Sequence, residues 1–149
     1  MALKFLRFPK VRKVRRVKKR EQLLWLDSVE LEKRISNLII SCNLTHINPK
    51  RVYCYVSTGA KTRAYARIWG LGRIFQQALK IEPAYVIEAV SEKFDRLTSE
   101  QQEMVIIHEL LHIPKSFSGA LVPHRHKGGV NDRVVREVYV NMLRTKKTK

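Results

Sequence analysis

His108-Glu109-Leu110-Leu111-His112 sets two imidazoles and a carboxylate within five consecutive residues. On a helix, four residues make about one turn, so the rings of His108 and His112 leave the same face and can bind a single ion. Glu109 lies about 100° further round. From there it reaches the water that a metal would activate without being a ligand itself. A bound zinc lowers the pKa of water from about 15.7 to about 7, and a carboxylate beside it can take the proton as the oxygen attacks a carbonyl. The same carboxylate can then hand that proton to the leaving amine. The chemistry expected of this pattern is metal-assisted hydrolysis of a peptide bond, with Glu109 as the catalytic group and Zn2+ as cofactor.

A five-residue pattern arises by chance often enough that its surroundings must decide. Here Met104, Val105, Ile106, Ile107, Leu110 and Leu111 make the segment apolar over most of a helical circumference, as in a central buried helix. Two histidines and a glutamate in such company are costly to bury without partners. A metal ion resolves that cost. A catalytic zinc needs a third protein ligand and one open position. Three residues downstream can supply it: His124, swung back by a turn at Gly119; His126, two positions on and on the same side of an extended piece; or Glu137, on a following helix. His124 is the first choice. His46, in Thr45-His46-Ile47-Asn48, reads as a surface histidine.

The elements that must position these groups follow from periodicity and caps. Asp27 or Ser28 can cap a helix in which Leu31, Ile35, Leu38, Ile39 and Cys42 share a face. Arg51–Ser57 reads as a strand, Tyr65–Trp69 as a second interrupted at Gly70 and Gly72, and Ala84–Val90 as a third. Arg73–Leu79 is ambiguous and can continue the second strand. Thr98 with Gln101, or Ser99 with Gln102, can form a capping box that opens the motif-bearing helix, and Pro114 ends it. A last helix runs from Asp132 to Leu143. The layout is α+β, a small twisted, mostly antiparallel sheet packed on helices.

Charge is unevenly spread. Of 149 residues, 30 are Lys or Arg and 13 are Asp or Glu. Ten of the cations and no acid fall in residues 1–20, and four more cations with no acid fall in 144–149, which leaves 21–143 with a net of only +3. The expected division is therefore a basic N-terminal arm over 1–20, one catalytic domain over 21–143 and a basic tail over 144–149. Lys10, Arg12, Lys13, Arg15, Arg16, Lys18, Lys19 and Arg20 crowd eight cations into eleven positions, a density suited to nucleic-acid phosphates, with RNA favoured and DNA an alternative. Valines rather than aromatics punctuate the arm, so phosphate contacts without base readout are expected. Two cysteines, Cys42 and Cys54, make no disulfide framework and fit a reducing compartment. The sequence contains no membrane span and no apolar signal region, and the expected location is cytoplasmic.

Ala66-Arg-Ile-Trp-Gly-Leu-Gly, Glu82-Pro-Ala-Tyr-Val-Ile-Glu88, His108-Glu-Leu-Leu-His-Ile-Pro and Pro123-His-Arg together resemble the metallopeptidase domain found in archaeal and phage proteins. More distantly, they are similar to the SprT-like zincins. The resemblance spans roughly residues 25 to 143. It implies a minimal zincin fold in which the strand preceding the active-site helix, here Ala84–Val90, forms a cleft rim able to pair with an extended peptide. Two functions remain open on these residues. One is a zinc peptidase tethered to nucleic acid or a ribonucleoprotein by its arms. The other is a non-catalytic RNA-binding protein of a particle such as the ribosome, built on a zincin-like scaffold.

Overall fold

The computed structural model describes residues 22–147, so the expectations for Lys10 to Arg20 lie outside the described residues. A short strand β1 (Leu24–Asp27) leads through Ser28 into helix α1 (Val29–Ser41). The Ser28 hydroxyl accepts the Leu31 amide and so satisfies one of the donors that a helix start leaves open. Leu31, Ile35, Leu38 and Ile39 form the buried stripe of α1, as their spacing predicts. A single 3-10 turn precedes strand β2 (Val52–Thr58). Strand β3 (Ala66–Gly70), helix α2 (Arg73–Leu79) and strand β4 (Tyr85–Val90) follow. Helix α3 (Ser91–Phe94) is one turn, α4 (Ser99–Leu111) carries the His-Glu-x-x-His motif, and α5 (Asp132–Lys147) closes the described chain.

The four strands lie in the order β1-β2-β4-β3. Two pairings are antiparallel, β1 with β2 and β3 with β4, and β2 with β4 is parallel. The fold is thus α+β, with a small mixed sheet and a zincin-like layout. Tyr85, Ile87 and Ala89 of β4 alternate onto one face with Val52 and Cys54 of β2, and this face packs on α1 and α4 to make the core. Val105, Ile106 and Ile107 are β-branched and individually poor for a helix, by roughly half a kcal/mol each against alanine. Burying a side chain such as Ile106, Ile107 or Leu110 contributes about 1.5–3 kcal/mol, and all three are fully enclosed. Burial therefore outweighs propensity. Thr98 and Gln101 complete the capping box that starts α4.

Four expectations change. Ala84–Val90 is not a rim: β4 lies between β2 and β3, and among the described strands the edges are β1 and, next to β4, β3. A strand flanked on both sides has its backbone groups committed, which explains why Tyr85, Ile87, Glu88, Ala89 and Val90 are all buried. Arg73–Leu79 does not continue β3. The ladder ends where the Leu71 amide reaches the Ala84 carbonyl, Gly72 caps a two-turn helix, and Lys80 ends it in the left-handed region at φ 54°. His46 is not a free surface residue but a half-buried one, with its Nε2 donating to the Ile113 carbonyl at 3.2 Å, just past α4. Helix α5 also runs one turn further than Leu143, to Lys147. Both thiols are held protonated by burial, with the pKa of Cys54 pushed up to about 12 and that of Cys42 to about 11. Among the described residues no helix is long and apolar enough to cross a membrane.

Candidate metal centre

His108 projects from the last turn of α4, and His112 caps its C-terminus in near-helical geometry, φ −70° and ψ −15°. The chain then turns back on itself. Phe117 (φ 47°) and Gly119 (φ 85°) both take left-handed conformations. The reversal brings Val122 alongside His112, where the two residues bond reciprocally. The Val122 amide donates to the His112 carbonyl at 2.7 Å, and His112 Nδ1 donates to the Val122 carbonyl at 2.5 Å. A carbonyl only accepts, so the Nδ1 of His112 carries the proton and its Nε2 presents a bare lone pair.

Two residues further on, His124 completes a triangle. Its Nε2 lies 2.8 Å from that of His108 and 3.1 Å from that of His112, and the His108 and His112 nitrogens are 3.3 Å apart. With the His112 nitrogen bare, at most two edges can be hydrogen bonds between neutral rings. A cation at the centre would take a lone pair from all three. These rings are the group among the described residues that could hold a metal ion. Burial, then the neighbouring His112 and His124, pushes the His108 pKa down to about 4 against the opposing pull of Asp132. Burial also lowers His112, opposed by its bond to Val122. Both rings are therefore neutral at pH 7, the form that binds metal.

Glu109 is 9% exposed, and burial raises its pKa to about 7. It lines the same cleft as the three histidines, a space of about 770 Å³ walled by residues 64–69, the motif-bearing side of α4, residues 121–124 and the first turns of α5. The structure does not bring the other two candidates there. His126 is exposed on the loop beyond His124, and Glu137 faces solvent in an ion pair with Arg133.

Several groups that hold the site gave no motif to read. Tyr85, wholly buried on β4, accepts the Gly119 amide at 2.8 Å and donates to the Ala120 carbonyl at 2.9 Å. Gln76 of α2 donates to the carbonyls of Leu71 and Ser118, and Gly70 lies so close to the Gly119 carbonyl that no Cβ would fit. Glu88 is fully buried beneath Arg67, whose Nε and Nη2 it accepts at 3.2 and 2.7 Å, and it also accepts the Trp69 indole N–H at 3.1 Å. Alternation along β4 could have flagged Glu88, since a carboxylate between Ile87 and Ala89 calls for a partner.

An α+β domain whose His-Glu-x-x-His helix is met by a third imidazole has the layout of a minimal zincin-like fold. The chain matches the model of the family described as Putative phage metallopeptidase over residues 24–139, and it belongs to that family. Comparison with curated proteins and with solved structures gives no match.

Proposed function

We propose that this protein is a zinc-dependent metallopeptidase, with His108, His112 and His124 as metal ligands and Glu109 as the catalytic base and acid. The convergence of the three Nε2 atoms carries this reading. Ligands of a tetrahedral zinc, at about 2.0–2.1 Å from the ion, stand roughly 3.3 Å from one another, against 2.8–3.3 Å between these nitrogens. When bound, the ion supplies Lewis acidity, polarising the scissile carbonyl and acidifying water. Glu109, with a pKa near 7, is poised to take the proton from the attacking oxygen and deliver it to the departing nitrogen.

An extended substrate has a docking edge in β3. The bonds from Tyr65 O to Val90 N and from Leu71 N to Ala84 O belong to the ladder that turns the odd-numbered residues of this strand towards β4. Ala66 and Ile68 therefore turn their amides and carbonyls outward, beside the cleft, where a peptide strand can add.

The basic segments at 1–20 and 144–149 would tether the enzyme to nucleic acid or a ribonucleoprotein in the cytoplasm. Their charge also favours a second reading, a non-catalytic RNA-binding protein of a particle such as the ribosome, in which the cleft is only a scaffold.

Metal analysis and one substitution separate the two. The purified chain is expected to hold close to one zinc, lost on His108→Ala or His112→Ala and retained on His126→Ala or Glu137→Gln. Glu109→Gln is expected to keep the zinc while abolishing proteolysis, because an amide cannot accept the proton. A wild-type chain without zinc, or a Glu109→Gln variant as active as wild type, removes the mechanism.

A further inference from the structure

We infer that the cleft takes peptide segments bearing acidic side chains, read by Arg67 on the rim strand and Arg136 on α5. The inference takes the peptidase reading as its starting point and names the substrate class.

Three observations on different elements agree. Arg67 is a preorganised donor. Buried Glu88 grips its Nε and Nη2, its guanidinium stands 5.3 Å from the centre of the Trp69 ring, and its Nη1 has no partner among the described residues. Arg67 contributes to the cleft lining and its side chain is 30% exposed, whereas Glu88, its register partner on the same face of the sheet, has no exposure, so the exposed end of the pair is its positive end. On the opposite wall, Arg136 borders the same cleft with no hydrogen bond or ion pair among the described residues, although Asp132 lies one turn before it. Glu109 and Asp132 are the acidic residues on that lining among the described residues.

The third observation is the rim. The segments that feed the two walls, residues 59–66 and 113–131, contain no Asp or Glu, and they expose Lys61, Arg63, Arg125 and Lys127. Glu92 and Lys93 of α3 touch the first segment through Gly59 and Thr62, and their charges cancel. A strand added to β3 would lay alternate side chains beside Arg67 and Trp69, where an Asp or Glu meets Nη1 and a Lys meets only cations.

The test uses the full-length, zinc-loaded Glu109→Gln protein and fluorescence anisotropy with three labelled peptides: one rich in Asp and Glu, its Asn/Gln isostere and its Lys counterpart. The acidic peptide is expected to bind most tightly. Arg136→Glu is expected to weaken it by about tenfold, the scale of one reversed, partly exposed ion pair. Arg67→Gln combined with Glu88→Gln, which avoids stranding a buried carboxylate, is expected to lower the preference for acid over amide by about two- to fivefold. The basic arm is present in every variant, so the differences report the cleft.

Equal binding of acidic and amide peptides to the unsubstituted cleft overturns the inference. So does an Arg136→Glu protein that loses a single-stranded oligonucleotide but keeps the peptide, since the cleft face would then be a nucleic-acid surface. Acid preference without hydrolysis by the wild-type chain refutes the peptidase reading alone. Hydrolysis without acid preference refutes this inference alone.

Discussion

The hydroxyl of Tyr85 meets the amide of Gly119 at 2.8 Å inside the protein, and through this bond the central strand of the sheet holds the loop that carries His124. The same oxygen donates to the Ala120 carbonyl, and the ring packs edge-on against Phe117 at 5.0 Å. The third imidazole is thus fixed by a residue that lies outside the triangle of ring nitrogens.

Tyr85→Phe keeps the ring and strands one amide and one carbonyl. Leaving a buried polar group unpaired costs about 1–3 kcal/mol, and disturbing the support of a metal ligand typically costs about 10–100-fold in metal affinity. Urea unfolding of the metal-free protein should show the first effect and competitive zinc titration the second. An unchanged zinc affinity would mean that the loop is held without Tyr85.

Stability below neutral pH should depend on Glu88. Burial pushes its pKa up, but hydrogen bonds from Arg67 and Trp69, the charge of Arg67 and the nearby Ser57 hydroxyl together outweigh burial and hold it below the usual value. The Ser57 oxygen stands close enough to favour the anion, though without a hydrogen bond of ordinary geometry. A lowered folded-state pKa contributes stability that is complete above the unfolded value, about 4.3 for glutamate, and is lost as pH falls through the folded value. Metal-free wild type should therefore lose stability from about pH 5 downward. Glu88→Gln should be less stable at neutral pH and show a flatter dependence in that window. Parallel pH curves for the two would remove Glu88 from the account.

For the arm, phosphate contact predicts a salt dependence. If about five of the ten cations in residues 1–20 engage at once, log affinity for duplex nucleic acid falls against log salt with a slope of about −4 to −5. Deleting residues 1–20 should flatten the slope and leave zinc content unchanged. A flat slope with the arm intact would mean that nucleic acid is not its partner.

The motif helix was legible because a helical face repeats on a short, fixed period: His108 and His112 could only share a side, and Thr98 with Gln101, or Ser99 with Gln102, marks the start. Among His124, His126 and Glu137 the sequence puts His124 first, through the turn at Gly119, but leaves the other two open. The choice depends on where an eleven-residue loop returns, which Phe117, Gly119 and the buried Tyr85 hydroxyl decide together. Strand order was hidden for a similar reason. Spacing predicts strands over 65–69 and 84–90, but which of them takes the edge depends on pairing across the chain. Strand β1 gave no alternation to read, since all four of its residues are exposed. Helix α2 buries none of its residues, so its apolar Ile74, Phe75 and Leu79 imitate a strand in a pattern-based reading.

The strand order has a further consequence, for assembly. β2 and β3 are neighbours along the chain and strangers in the sheet, because β4 stands between them. Among the described residues β3 has β4 as its sole strand partner, and Gly70 meets Tyr85 across a connection of only fourteen intervening residues, whereas Val52 reaches Tyr85 across thirty-two. The nearer pairing costs less loop-closure entropy. The rim that would receive a peptide and the strand that anchors the metal loop are thus two arms of a single hairpin, which joins the rest of the sheet through β4 as one preassembled piece.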